Sequence, residues 1–176
     1  MSGNLEKIKY ALPQNIYNML KKIPESKFSF VNEIRIRSYL PLSLIIGTKI
    51  FYVRQTGEIS ENFFNAYICT KTDIDETFIR LCNNSVYAHE KELKDGFIIM
   101  NYGCRAGVGG TYDGNIPSDI SSVNIRIAHE IIGISDSVYP LISKKSLLIA
   151  GPPASGKTTL LRDIIRQNSN DKMTVS

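Results

Sequence analysis

The segment Gly151-Pro152-Pro153-Ala154-Ser155-Gly156-Lys157-Thr158 has the spacing glycine, four residues, Gly-Lys-Thr. No other feature constrains the local fold so tightly. A glycine-bounded turn lets successive backbone N–H groups converge on one point, where the lysine adds a mobile positive charge and the threonine hydroxyl adds a hard oxygen ligand. Such a convergence suits the phosphates of ATP, with Thr158 on Mg²⁺. Before the turn, Leu147-Leu148-Ile149-Ala150 is uncharged and apolar, as a buried parallel strand would be. After it, Leu160, Leu161, Ile164 and Ile165 recur with helical period, so the phosphates would rest against a helix N-terminus. The expected nucleotide contacts are Gly151, Pro152, Pro153, Ala154, Ser155, Gly156, Lys157, Thr158 and Thr159. For Thr159 two readings stand: a contact to the α-phosphate, or an ordinary residue of the first helical turn.

Charge points the same way. Residues 144–176 hold six Lys/Arg against two Asp/Glu, whereas residues 1–143 hold fifteen of each. The whole excess of +4 therefore surrounds the loop that must meet a polyanion. Balanced charge over residues 1–143 argues against a broad nucleic-acid face there, and no direct nucleic-acid partner is expected. Cys69, Cys82 and Cys104 are odd in number and widely spaced, which suggests buried thiols rather than disulfides or a zinc knuckle. No stretch approaches the ~18 apolar residues of a membrane span. The N-terminus lacks the apolar run of a signal peptide, so a cytoplasmic protein is expected.

Along the chain, residues 4–23 read as helical with a break near Pro13, and Ile16, Leu20 and Ile23 share a face. Glu33-Ile34-Arg35-Ile36-Arg37 alternates as a half-buried strand, its charged residues forming a solvated or salt-bridged face. Leu42–Ile46 and Lys49–Arg54 are further strands. Thr72 with Asp75 reads as a helix start, with Ile74, Phe78 and Leu81 as the apolar stripe. A helical turn at 87–94 ends near Gly96. Phe97–Met100 and the glycine-rich 103–111 read as a strand and a kinked strand or hairpin, 112–119 as a loop, and Val123–Ala128 as a strand. The expected fold is an α+β N-terminal domain over 1–132. It is followed over 133–176 by a linker helix and the opening strand–loop–helix of an incomplete α/β P-loop domain. His129-Glu130 resembles the start of H-E-x-x-H, but Gly133 stands where the second histidine belongs, so a metalloprotease is excluded.

Several segments occur in an order that resembles the stage III sporulation protein AA family of endospore-forming bacteria. They are Asn32–Arg37 with Pro41-Leu42, Val86-Tyr87-Ala88 with Glu90 and Glu92, and Gly96-Phe97-Ile98. Further on come Gly103–Gly107 with Gly110, Ser121–Ala128, and the phosphate loop running into Thr159-Leu160-Leu161-Arg162-Asp163. The resemblance implies a mother-cell ATPase similar to the motor ATPases of type II and type IV secretion. Such a protein lies peripheral to the membrane facing the forespore and energises or assembles the channel between the two cells. It implies a homo-oligomer, hexamer-like and ring-shaped at full length, with membrane proteins of that channel as partners.

In secretion-type ATPases the N-terminal domain lends arginines to the nucleotide, which nominates Arg126 beside Lys157 as catalytic, with Arg105 as a further candidate. The other reading of both is an exposed strand arginine. The family's acidic Walker B pair follows the strand that Met173–Ser176 would begin. This stretch ends before such a pair, so ATP binding without turnover is the expectation for these residues. Two other functions stay open: a nucleotide-binding assembly module without hydrolysis, and a nucleic-acid-associated P-loop ATPase.

Overall fold

A computed structural model describes residues 3–129, 133–142, 146–152 and 155–170. The chain divides into two compact units, Met1–His129 and Glu130–Ser176. The expected division between 132 and 133, Glu130, Pro153, Ala154 and the strand expected at Met173–Ser176 lie at or within stretches outside the described residues.

The first unit is a seven-stranded sheet with helices against one face. Its strands are β1 Val31–Arg37, β2 Ser43–Ile46, β3 Lys49–Val53, β4 Ile59–Ser60, β5 Phe97–Ile99, β6 Arg105–Asp113 and β7 Ile116–Arg126. They run in the order β4-β3-β2-β1-β7-β6-β5, and every pairing is antiparallel. Two meanders thus meet where β1 pairs with β7, from Glu33 opposite Arg126 to Arg37 opposite Ser122. The helices are α1 Asn4–Ile8, α2 Gln14–Leu20, α3 Glu25–Phe28, α4 Lys71–Leu81 and α5 Glu90–Lys94. Alternation along β1 buries Ile34 and Ile36 against them and turns Glu33, Arg35 and Arg37 to the opposite face, while an irregularity between Val31 and Glu33 lets Val31 be buried as well. Ile16 and Leu20 of α2, Ile23 in the turn that follows it, and Ile74, Phe78 and Leu81 of α4 complete one continuous core.

Helix α4 starts earlier than expected. Its cap is Thr70, not Thr72: the Thr70 hydroxyl accepts from the Asp73 amide at 3.2 Å, and Asp73 Oδ2 accepts from the Thr70 amide at 2.7 Å. Asp73 is itself buried, and it also accepts from Asn15 at 2.7 Å and from the Tyr67 hydroxyl at 2.7 Å. Burial pushes its carboxyl up, but these hydrogen bonds outweigh burial and hold it below the usual range. The cap at Thr70 is the one whose partner Asp73 also ties in α2 and the segment before α4, and it wins over Thr72 two residues on.

The expected loop at 112–119 is largely strand. Only Gly114 and Asn115 turn, because Asp113 and Ile116 already pair. Gly114, at φ +64°, supplies the positive dihedral that a two-residue hairpin loop requires. Pro117 is tolerated because it falls opposite Tyr112, at an irregularity in the ladder. The three cysteines are buried free thiols, and burial pushes Cys69 and Cys82 up to about 11.

Replacing Thr70 with alanine should lower the stability of the first unit by about 1 kcal/mol, the usual worth of a threonine cap. A urea unfolding midpoint unchanged in Thr70→Ala would show that the cap is redundant.

Candidate functional site

The second unit is built on α7, Lys157–Asn170, which begins at the lysine of the glycine loop. Gly156 has φ +85°, and open space surrounds the position a Cβ would take there. Backbone, not crowding, therefore demands glycine: a side chain would be strained in this left-handed turn. The Gly156 carbonyl accepts from the Leu160 amide at 2.9 Å, so the glycine is joined to the first helical turn. Ser155, Gly156, Lys157, Thr158 and Thr159 line a cavity of about 230 Å³ at this helix start.

Lys157 bends back over the loop. Its Nζ donates to the Gly151 carbonyl at 2.8 Å, to the Pro152 carbonyl at 2.5 Å and to Ser155 Oγ at 3.4 Å. These acceptors are neutral, so the ammonium has hydrogen bonds there but no counter-charge. Gly151, Pro152, Ser155, Gly156 and Thr158 are exposed; Lys157 and Thr159 are half-buried.

The strand expected at Leu147–Ala150 is not formed. Among the described residues nothing pairs with it, and Leu147 and Leu148 are 43% and 90% exposed. An apolar run becomes a strand only where a neighbouring ladder satisfies its amides and carbonyls. The helix does form, but its apolar stripe is narrower than expected: Ile164 is buried, while Leu161 and Ile165 stay exposed.

At the centre of the buried side of α7 stands a residue whose role the sequence reading missed, Asp163, which is 3% exposed. Its Oδ2 accepts from the Gly133 amide at 3.1 Å, the Ser135 amide at 2.9 Å and the Ser135 hydroxyl at 2.7 Å. Oδ1 takes Arg166 Nε at 2.9 Å and Nη2 at 2.7 Å. Gln167 donates to Ser135 Oγ at 3.0 Å and to Asp136 at 2.7 Å, and the Tyr139 hydroxyl donates to Asn168 at 2.9 Å. Through these bonds α7 carries the segment 133–139, which leads into the short helix α6, Tyr139–Ile142. The signal available in the sequence was a charged residue placed next to Ile164 in the helical stripe, with Arg166 three positions on.

The Ser135 hydroxyl and amide, seconded by Arg166, hold the Asp163 carboxyl well below the usual carboxylate range, against an opposing push from desolvation.

Arg126 and Arg105 belong to the first unit. They lie opposite each other on β7 and β6, on the face away from the helices. The Arg126 side chain is 78% exposed and its Nε meets Glu33 at 3.3 Å, while Arg105 stacks over Phe97 at 5.5 Å. Glu33, only 13% exposed, also binds Arg35 at 2.6 Å, so two of the three alternating charges of β1 are salt-bridged and Arg37 is not paired among the described residues. Among the described residues no cluster of three or more His, Cys, Asp or Glu is placed to hold a metal, and no helix is long and apolar enough to cross a membrane.

The family model described as "Sporulation stage III, protein AA" matches residues 3–176. Stage III sporulation protein AA of Bacillus subtilis (strain 168) is 36% identical over 176 residues, covering 96% of this chain and 53% of its own length. The chain therefore spans about half the length of this curated relative. Among solved structures, similarity is found to the Legionella pneumophila ATPase DotB, with TM-score 0.49, 13% identity and coverage of 89% of this chain and 43% of that one. The pilus retraction motor PilT with bound ADP gives TM-score 0.45, 19% identity and coverage of 82% and 41%.

Because the depressed carboxyl of Asp163 favours the ionised form in the fold, its contribution is complete above the ordinary carboxylate value of about 3.9. It is lost as pH falls through the lower, folded-state value. An NMR titration of Asp163 should give a midpoint below about 3.9, rising toward that value in Ser135→Ala. A midpoint that does not move in the variant would show that Ser135 does not hold the charge.

Proposed function

The chain belongs to the Sporulation stage III, protein AA family, and we propose that its loop 151–158 holds ATP with Mg²⁺. One observation carries this reading: the Lys157 ammonium, the left-handed Gly156 turn and the Thr158 and Thr159 side chains surround one cavity at the N-terminus of a long helix. On binding, phosphate oxygens replace the Gly151 and Pro152 carbonyls as acceptors for Lys157. The exchange is favourable because the ammonium then meets anionic oxygens, adding a charge–charge attraction that neutral carbonyls do not offer. Thr158 supplies the Mg²⁺ ligand, and Thr159 meets the α-phosphate. Bound Mg²⁺ adds charge neutralisation on the outer phosphates.

At the level of the whole protein, the reading is an oligomeric motor-type ATPase, a ring at full length. It works in the mother-cell cytoplasm against the membrane facing the forespore, where it energises or assembles the channel through that channel's membrane proteins. Arg126 then reaches a nucleotide held by a neighbouring copy and stabilises charge on the transferring phosphoryl group. Its exposure supports this. A second reading, nucleotide-gated assembly without hydrolysis, is favoured by the cavity lining, Ser155 to Thr159, which carries no carboxylate among the described residues.

Titration of a fluorescent ATP analogue with Mg²⁺ should saturate on the wild type and weaken at least about tenfold in Lys157→Ala, a loss of about 1.4 kcal/mol. Thr158→Ala should abolish the advantage that Mg²⁺ gives. Equal affinity of wild type and Lys157→Ala would remove the basis for nucleotide binding at this loop. For Arg126, the expected result is an ATP affinity that rises with protein concentration in the wild type and stays flat in Arg126→Ala. The same rise in both would return Arg126 to a surface role.

A further inference from the structure

The face of the sheet away from the helices carries a groove of about 530 Å³ that the nucleotide reading does not use. Arg35 and Arg37 of β1 line it together with Leu40, Ile50, Phe63 and Ile68. The four apolar residues are 48%, 41%, 65% and 48% exposed. Apolar side chains scattered singly need no explanation, but four around one concavity mark a place where something is buried. The Phe63 ring is held edge-on by Tyr52, with centroids 6.1 Å apart.

Charge identifies what fits. No carboxylate lines the groove. Glu33 neutralises Arg35 from outside it at 2.6 Å, whereas Arg37 forms no ion pair with any described residue. An apolar wall beside one unneutralised guanidinium complements a chain that carries apolar side chains and a carboxylate together. A nucleic acid needs a track of cations along its backbone, which one unpaired arginine does not provide. A second copy presenting the same patch in an isologous pair would set Arg37 against its own like charge.

We propose that this groove docks an acidic, apolar peptide segment of a partner protein. The segment's carboxylate meets Arg37, and its apolar side chains seat on Leu40, Ile50, Phe63 and Ile68.

The test uses the whole chain and a short synthetic peptide alternating leucine and aspartate, labelled for fluorescence anisotropy. Control peptides carry lysine for aspartate or glycine for leucine. The acidic apolar peptide should bind, with both controls weaker by about tenfold or more, and Arg37→Glu and Phe63→Ser should each lose about tenfold. Amide shifts in the wild type should concentrate on the lining residues, a readout that does not depend on how the variants fold. Binding of the ATP analogue should be unchanged in both variants, which separates this proposal from the nucleotide reading. Equal binding of the lysine peptide, undiminished binding in both variants, or shifts away from the groove would overturn it. So would self-association that the two variants abolish, which would assign the face to a second copy. Displacement of the peptide by an oligonucleotide or by anionic vesicles would likewise assign the arginine to phosphate.

Discussion

The antiparallel seam between β1 and β7 is the pairing on which the first unit depends. It joins two meanders far apart in sequence, one ending near Ser60 and the other beginning at Phe97. Long-range pairing of this kind costs loop-closure entropy before any contact repays it, so it must be backed by burial. Ile34, Ile36, Val123 and Ile125, all fully buried along the two strands, provide that backing. Because side chains alternate, locking these four inward also sets Glu33, Arg35, Arg37, Asn124 and Arg126 on the other face. A slip of one residue would exchange the two sets.

That single register therefore sets the charge arrangement of the sheet's open face. It brings Glu33 between Arg35 and Arg126, and it leaves Arg37 beside the apolar wall from Leu40 to Ile68 without a counter-ion among the described residues. The result is one exposed arginine paired with a largely buried glutamate and another unneutralised among the described residues. Neither property belongs to the arginine as a residue; both follow from which row of the ladder it occupies.

The second unit is organised around a charge. Asp163 gathers two amides, a hydroxyl and a guanidinium, so the helix that carries the glycine loop at one end grips residues 133–135 along its side. A buried carboxylate is stable only when its lone pairs are satisfied, and here every bond to it comes from within this unit. The loop itself is held by Lys157 bonding to the Gly151 and Pro152 carbonyls.

Much of this was legible from residue order alone. The glycine–lysine–threonine spacing demands a turn and a helix start whatever surrounds them, because left-handed backbone and converging amides are local properties. Alternation along β1 predicted its two faces, and the helical period predicted the buried Ile74, Phe78 and Leu81. What residue order could not decide was every choice between local equals. The cap stands at Thr70 rather than the expected Thr72, and Asn15, 58 positions away in sequence, supports that choice by also binding Asp73. Leu147–Ala150 had the composition of a strand, but a strand exists only through its neighbours, and the described residues supply none. Asp163 had no role assigned by residue order; Gly133, Ser135 and Arg166 give it one in the fold. Periodicity and turn chemistry act within a few residues of the chain. Caps with competitors, ladder partners and buried charges are decided by groups that meet only in the folded chain.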